Sequence, residues 1–204
     1  MKQLWPFLLS ALFLAACGPL PITIDLLPTL KQNGYDQGSL SQPVTVPPGA
    51  PLNDQDLKLP DANGYAFDFQ VPSLPARPAS LFLDYRARLD YGIECLNDLG
   101  GTAIAQVYLA GDPQNLWQSP LEGADASAAV KQQGTLTLEG SARLSQAQLQ
   151  AVLDGHLVLG VELKTQGLTG QASSDPACLQ NGQTLVKFTG RYQIERAVVE
   201  VRFL

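Results

Sequence analysis

Apolar and polar positions alternate with a period of two through most of the chain beyond Tyr65. Tyr65, Phe67, Phe69 and Val71 share one face, while Ala66, Asp68 and Gln70 share the other, the pattern of a half-buried strand. Residues 81–93 repeat it, with Leu83, Tyr85, Ala87, Leu89, Tyr91 and Ile93 on the inner parity and Asp84, Arg86, Arg88 and Asp90 on the outer. Residues 102–109 are apolar on both parities, which suits a central strand covered on both sides. Residues 112–131 show no steady period. Alternation returns over 135–144, where Leu136, Leu138, Ala142 and Leu144 face in.

The period then lengthens. Ser145 and Gln148 stand at capping-box spacing, Leu149, Val152 and Leu153 form one stripe, and Asp154-Gly155 supplies a left-handed stop, so the pattern predicts a short helix over about 145–154. Strand patterning resumes at 156–164 and again at 184–204. In the last run Val186, Phe188, Tyr192 and Ile194 share one parity, and Ala197, Val199, Val201 and Phe203 the other. That change near Glu195-Arg196 requires a bulge or bend, because a slip of one residue turns every side chain over. The sum is an all-β chain: an antiparallel β-sandwich of seven or more strands with one short helix. A closed barrel is the alternative. A membrane barrel is excluded, because the outer parities carry Asp, Glu, Lys and Arg instead of an apolar band.

The region before Tyr65 differs. Pro19, Pro21, Pro28, Pro43, Pro47, Pro48, Pro51 and Pro60 punctuate it, and no continuous helix can run through them. Residues 17–60 read as a tether merging into peripheral strands, around Ile22, Ile24 and Leu26 and around Val44-Thr45-Val46, with the sandwich domain over 61–204. Residues 1–16 have the form of an export leader: Lys2, then a short apolar run, then small residues.

The stretch Leu14-Ala15-Ala16-Cys17 resembles the lipobox of bacterial lipoprotein precursors. The resemblance covers the first eighteen residues and implies cleavage before Cys17, with diacylglycerol and fatty acid such as palmitate on the new terminus. Gly18 after the cysteine favours the outer membrane. Cys95 and Cys178 then remain, and in an exported chain they are expected to pair.

Charge and chemistry narrow the rest. The net charge of −6 gives no footprint for nucleic acid. No nucleophile-elbow, zinc-protease or phosphate-loop motif occurs, and no cofactor is implied, so the chain is expected not to be an enzyme. Asp84, Asp90 and Glu94 are carboxylates available to a glycan hydrolase, the alternative reading. The lone His156 has no visible catalytic partner, and Asp54, Asp56, Asp61 and Asn63 fall short of a calcium loop. Trp117, Asp112 and Asp125 are weak candidates for ligand contact, in one of the loops 95–101, 111–131 and 167–182. The expected function is a lipid-anchored module of the cell envelope, bound to the membrane through Cys17 and facing periplasm or cell surface. Its partner would be another envelope protein or a polysaccharide.

Overall fold

The computed structural model describes residues 20–203. The leader at 1–16 and Cys17 lie outside them. Within the described residues the strands are β1 (Ile22–Asp25), β2 (Gln37–Val46), β3 (Asp56–Leu59), β4 (Tyr65–Asp68), β5 (Ser80–Glu94), β6 (Leu96–Ala110), β7 (Pro120–Ala129), β8 (Gln133–Arg143), β9 (His156–Ala172), β10 (Leu179–Gln180) and β11 (Gln183–Arg202). Helices α1 (Leu27–Gln32) and α2 (Gln146–Asp154) and two single 3-10 turns complete the chain. All strand pairings are antiparallel.

The strands form two packed sheets. Sheet A runs β1–β11–β5–β8, with β2 and β10 also on β11; sheet B runs β3–β9–β6–β7, with β4 also on β9. The chain changes sheet between β2 and β3, β4 and β5, β5 and β6, β7 and β8, β8 and β9, and β9 and β10. The sheets have six and five strands, each path is four strands wide, and these orders make a jelly roll, the double-sheet form of the β-sandwich. The core lies between the sheets. Leu81, Leu89, Leu138, Val186, Val199 and Val201 from sheet A meet Leu57, Ala105, Leu109 and Leu157 from sheet B, all essentially without solvent contact.

The region 20–60 is built into the sandwich. β1 and β2 both hydrogen-bond to β11, and β3 hydrogen-bonds to β9. Strands ahead of the boundary expected at residue 61 thus belong to the two sheets, because long β11 offers its free edge to β1 and β2 in turn. The parity change in the last strand is a bulge between Ile194 and Arg196 in the pairing with β5.

Residues 112–131, which lacked a period, contain a 3-10 turn and β7. Strand β7 was illegible because its ladder with β6 breaks: Gln106 faces Asp125, but Tyr108 faces Pro120. The extra residues, with Gly123 at φ 73°, interrupt the alternation. The predicted helix is α2. Ser145 Oγ accepts from Gln148 N at 3.3 Å and Gln148 Oε1 accepts from Ser145 N at 2.9 Å, and Gly155 ends the helix at φ 72°. Buried Gln148 does more, since its amide donates to Leu109 O at 3.0 Å and Ser119 O at 3.3 Å. One side chain thus caps the helix and ties it to the end of sheet B.

Cys95 is the corner at which the chain leaves β5 for β6, with φ 64°. It is bonded to Cys178, 83 residues away, in the turn that precedes β10 and β11. The bond crosses from this corner to the segment feeding the central strand of sheet A, so it fixes the long excursion through both sheets.

Three tyrosines close the seams between the sheets. Tyr85 and Tyr91 of β5 point inward beneath β8, where their cross-strand neighbours are Gly140 and Gly134. Their hydroxyls emerge to donate to Gly123 O at 2.9 Å and Ala129 O at 3.4 Å, both on β7. Tyr192 of β11 does the same beneath β2: it pairs with Gly38 and donates to Tyr35 O at 3.4 Å. A Cβ at Gly134 would lie 2.5 Å from the Tyr91 ring, and one at Gly38 2.5 Å from the Tyr192 ring. Gly134→Ala is therefore expected to destabilise the fold by about 1–3 kcal/mol, the usual cost of overpacking. Urea unfolding of the variant measures this, and an unchanged midpoint would contradict the contact.

Candidate functional site

The outer faces of the two sheets carry similar sequence patterns but different surfaces. On sheet B, register places Lys58 beside Glu162, Glu162 beside Gln106 and Gln106 beside Asp125, a polar row across four strands. Glu162 lies on the outward parity of β9, as His156 and Lys164 do, a position that would face solvent. It is buried instead, with a side chain 4% exposed. The Tyr108 hydroxyl donates to Glu162 Oε2 at 2.6 Å and Lys164 Nζ pairs with the same oxygen at 2.6 Å. The outward register fails to expose Glu162 because neighbours on both adjoining strands close over it.

Burial pushes the Glu162 carboxyl up, but hydrogen bonds from Lys164, Tyr108 and Asp56 outweigh it and hold the group below the usual carboxylate range. Asp56 moves the other way, raised by burial and then by the Glu162 carboxylate. Burial and the same carboxylate push the Tyr108 phenol up to about 12.

Trp117 anchors the turn above this row. Its Nε1 donates to Ala62 O at 2.6 Å, its ring meets Tyr108 edge-on at 5.2 Å, and Lys58 Nζ covers it at 4.9 Å from the centroid. The turn thus covers the apolar patch of Tyr108, Ala110, Leu116 and Val158. Asp112 holds the start of the same turn, accepting from Asn115 N and Nδ2, each at 2.9 Å. Asp125 lies exposed on β7 beside Gln106. The three weak candidates therefore do not converge on a ligand site: two shape a turn, and the third stands on an edge strand.

His156 faces Asp68 at 2.6 Å. Asp61 closes an Asx turn onto Asn63 N at 2.7 Å. Asp54 accepts from Gly167 N and Leu168 N. Among the described residues, no three His, Cys, Asp or Glu side chains are grouped to hold a metal ion.

Sheet A presents an open trough of about 700 Å³ on its outer face. Two register rows build it. In one, Ser39, Arg191, Asp90 and Thr135 stand side by side on β2, β11, β5 and β8; in the next, Ser41, Thr189, Gly92 and Gln133 do. The second row is short and uncharged, and Gly92 has no side chain at all. Beyond it the charged pair Lys187 and Glu94 rises again. A depression between charged rows follows, crossing four strands and so about 15 Å wide. Gly92 is required there, because a Cβ would lie 2.8 Å from Thr189 Oγ1. Thr189 lies over this glycine and donates to its carbonyl at 3.3 Å.

The carboxylates offered for hydrolysis do not form an acid–base pair. Asp84 is paired with Arg196 at 3.4 Å. Asp90 is held by the Thr135 hydroxyl at 2.5 Å and Arg88 Nε at 3.0 Å. The Thr135 hydrogen bond, with Arg88 adding to it, keeps this carboxyl below its usual range. Glu94 is exposed opposite Lys187. None sits in an enclosed cleft that would raise a carboxyl into the general-acid range.

No family model matches the chain. No curated protein matches it either. Among solved structures it is similar to the Triatoma virus empty capsid, at 10% identity and TM-score 0.33 over 90% of each chain. A sacbrood virus structure from the honeybee, in its expansion state II, aligns at 11% identity and TM-score 0.32, over 78% of this chain and 92% of that one. A mud crab dicistrovirus structure aligns at 7% identity and TM-score 0.28, over 79% and 72%.

These neighbours correct the functional expectation. They are virus structures, and none is a lipid-anchored envelope protein. The reading of a palmitate-bearing module on the outer membrane, with a membrane, another envelope protein or a polysaccharide as partner, is withdrawn. At this identity and TM-score the likeness carries no viral role to this chain.

The Glu162 cluster makes a stability prediction. A folded-state pKa below the unfolded value contributes stability above the carboxylate range and loses it as pH falls through that range. Glu162→Gln is expected to cost about 2 kcal/mol at neutral pH, the scale of a hydrogen-bonded charge. The cost should shrink in acid, as the pH falls through and below the usual carboxylate range and the wild-type group takes up its proton. Asp56, with its raised pKa, contributes in the opposite sense and blunts the change. Urea unfolding of both proteins at neutral and acid pH checks the difference.

Proposed function

We propose that the chain is a non-catalytic jelly-roll module that recognises a hydrophilic ligand in the trough across sheet A. The observation that carries this is the row of short polar side chains spanning β2, β11, β5 and β8 between two charged rows. The trough volume of about 700 Å³ falls within the usual span of small-ligand sites. Ser39, Ser41, Asp90, Gln133, Thr135, Thr189 and Arg191 line it with hydroxyl, amide and charged groups, which suits a ligand rich in hydrogen-bonding groups. The four strands are locked into ladders on a core closed by tyrosines, so the donors and acceptors are held before any ligand arrives, which lowers the ordering cost of binding. The Cys95–Cys178 bond is in keeping with a compartment where disulfides persist.

The test is amide chemical-shift mapping against a set of small sugars, sugar acids and amino acids. Perturbed amides are expected to cluster on Ser39–Ser41, Asp90–Gly92, Gln133–Thr135 and Thr189–Arg191. Ser41→Trp, which fills one end of the trough from an exposed position, should abolish them without moving the melting temperature. Shifts confined to other surfaces, or no shifts from any compound, would refute the reading.

A further inference from the structure

The trough contains a cation without a contact ion pair. Arg191 lines it, and among the described residues the guanidinium has no ion-pair partner. Its cross-strand neighbour is Asp90, but Asp90 directs Oδ1 to both Thr135 Oγ1 and Arg88 Nε. Arg88 thus forms the contact pair with Asp90, and Arg191 acts on the same carboxylate only through space, so its guanidinium donors are not taken up by an ion pair. Asp90 Oδ2 has no hydrogen-bond partner among the described residues and is left as an open acceptor. Arg191 and Asp90 thus stand at neighbouring register positions, with Ser39, Ser41 and Thr189 at the positions around them.

We propose that the trough binds a short sugar acid. Its carboxylate sits on the Arg191 guanidinium, and its ring hydroxyls donate to Asp90 Oδ2 and exchange hydrogen bonds with Ser39, Ser41 and Thr189. This rests on the trough reading above and names its ligand. A planar carboxylate matches the two parallel donors of one guanidinium, whereas a tetrahedral phosphate would force further negative oxygens toward Asp90. An extended peptide is disfavoured. The main-chain groups of the two inner strands beneath the trough, β11 and β5, are engaged on both sides, so a peptide laid across it finds no free ladder there.

The probes are digalacturonate and its neutral counterpart galactobiose, titrated calorimetrically into the full chain at low salt, with amide mapping of each. The acid is expected to bind at least about tenfold more tightly than the neutral dimer, the scale of one charge-assisted contact. Added salt should erode that margin, Arg191→Gln should remove it, and Arg191→Lys should restore only part. Equal binding of the two dimers in the trough, or a margin that survives Arg191→Gln, overturns the sugar-acid inference and leaves the trough as a neutral site. Failure of both dimers and of every other small compound to shift the trough amides defeats the inference and the recognition reading together. Arg191 is exposed, and the salt series on the wild type keeps the test decisive even if a variant fails to fold.

Discussion

A two-sheet sandwich has a difficulty at its rims. The strands that end each sheet expose main-chain carbonyls to the seam, and a buried carbonyl without a donor is costly. Here the answer is a long phenol laid across a glycine. Tyr85, Tyr91 and Tyr192 begin on interior strands, pass beneath an edge strand at Gly140, Gly134 and Gly38, and place their hydroxyls on Gly123, Ala129 and Tyr35 carbonyls. Each ring adds apolar area to the core while its polar tip finds an acceptor. The Tyr85 and Tyr192 phenols are both held above their usual range, chiefly by burial, so they remain protonated donors.

The same contact shapes the outer surface. Tyr91 pairs with Gly190 on one side and Gly134 on the other, and Gly92 follows it on the outer parity. Gly92 and the short hydroxyl side chains beside it leave the depression on the outer face, while Gly134 on the inner parity makes room for the Tyr91 ring. Core closure and outer surface thus share one stretch of chain, with alternate residues serving each.

The two outer faces show how one alternating code yields two environments. On sheet A the ion pairs stay wet: Arg86 and Glu139 are 52% and 61% exposed as side chains, and such pairs contribute little to stability. On sheet B the turn carrying Leu116 and Trp117 closes over part of the face, and Glu162 is drawn into a network with Tyr108, Lys164 and Asp56. A charge in that setting persists only because every partner is in place.

The sequence alone determined whatever depends on neighbours along the chain. Period-two alternation marked β5 and β8 and the opening of β9, the parity change marked the bulge in β11, and Ser145, Gln148 and Gly155 marked both ends of α2, because each signal acts within a few residues. Tertiary structure decided the rest. It paired β1 and β2 with β11, revealed β7 where a broken ladder had erased the alternation, and buried Glu162 among side chains of the adjoining strands β3 and β6. It also assembled the trough from four strands drawn from opposite ends of the chain, so that Ser41, Gly92, Gln133 and Thr189 carry no signature separately. The physical reason is that a register across strands is set by hydrogen bonds between distant segments, and no pattern inside one segment encodes which residue will stand beside it.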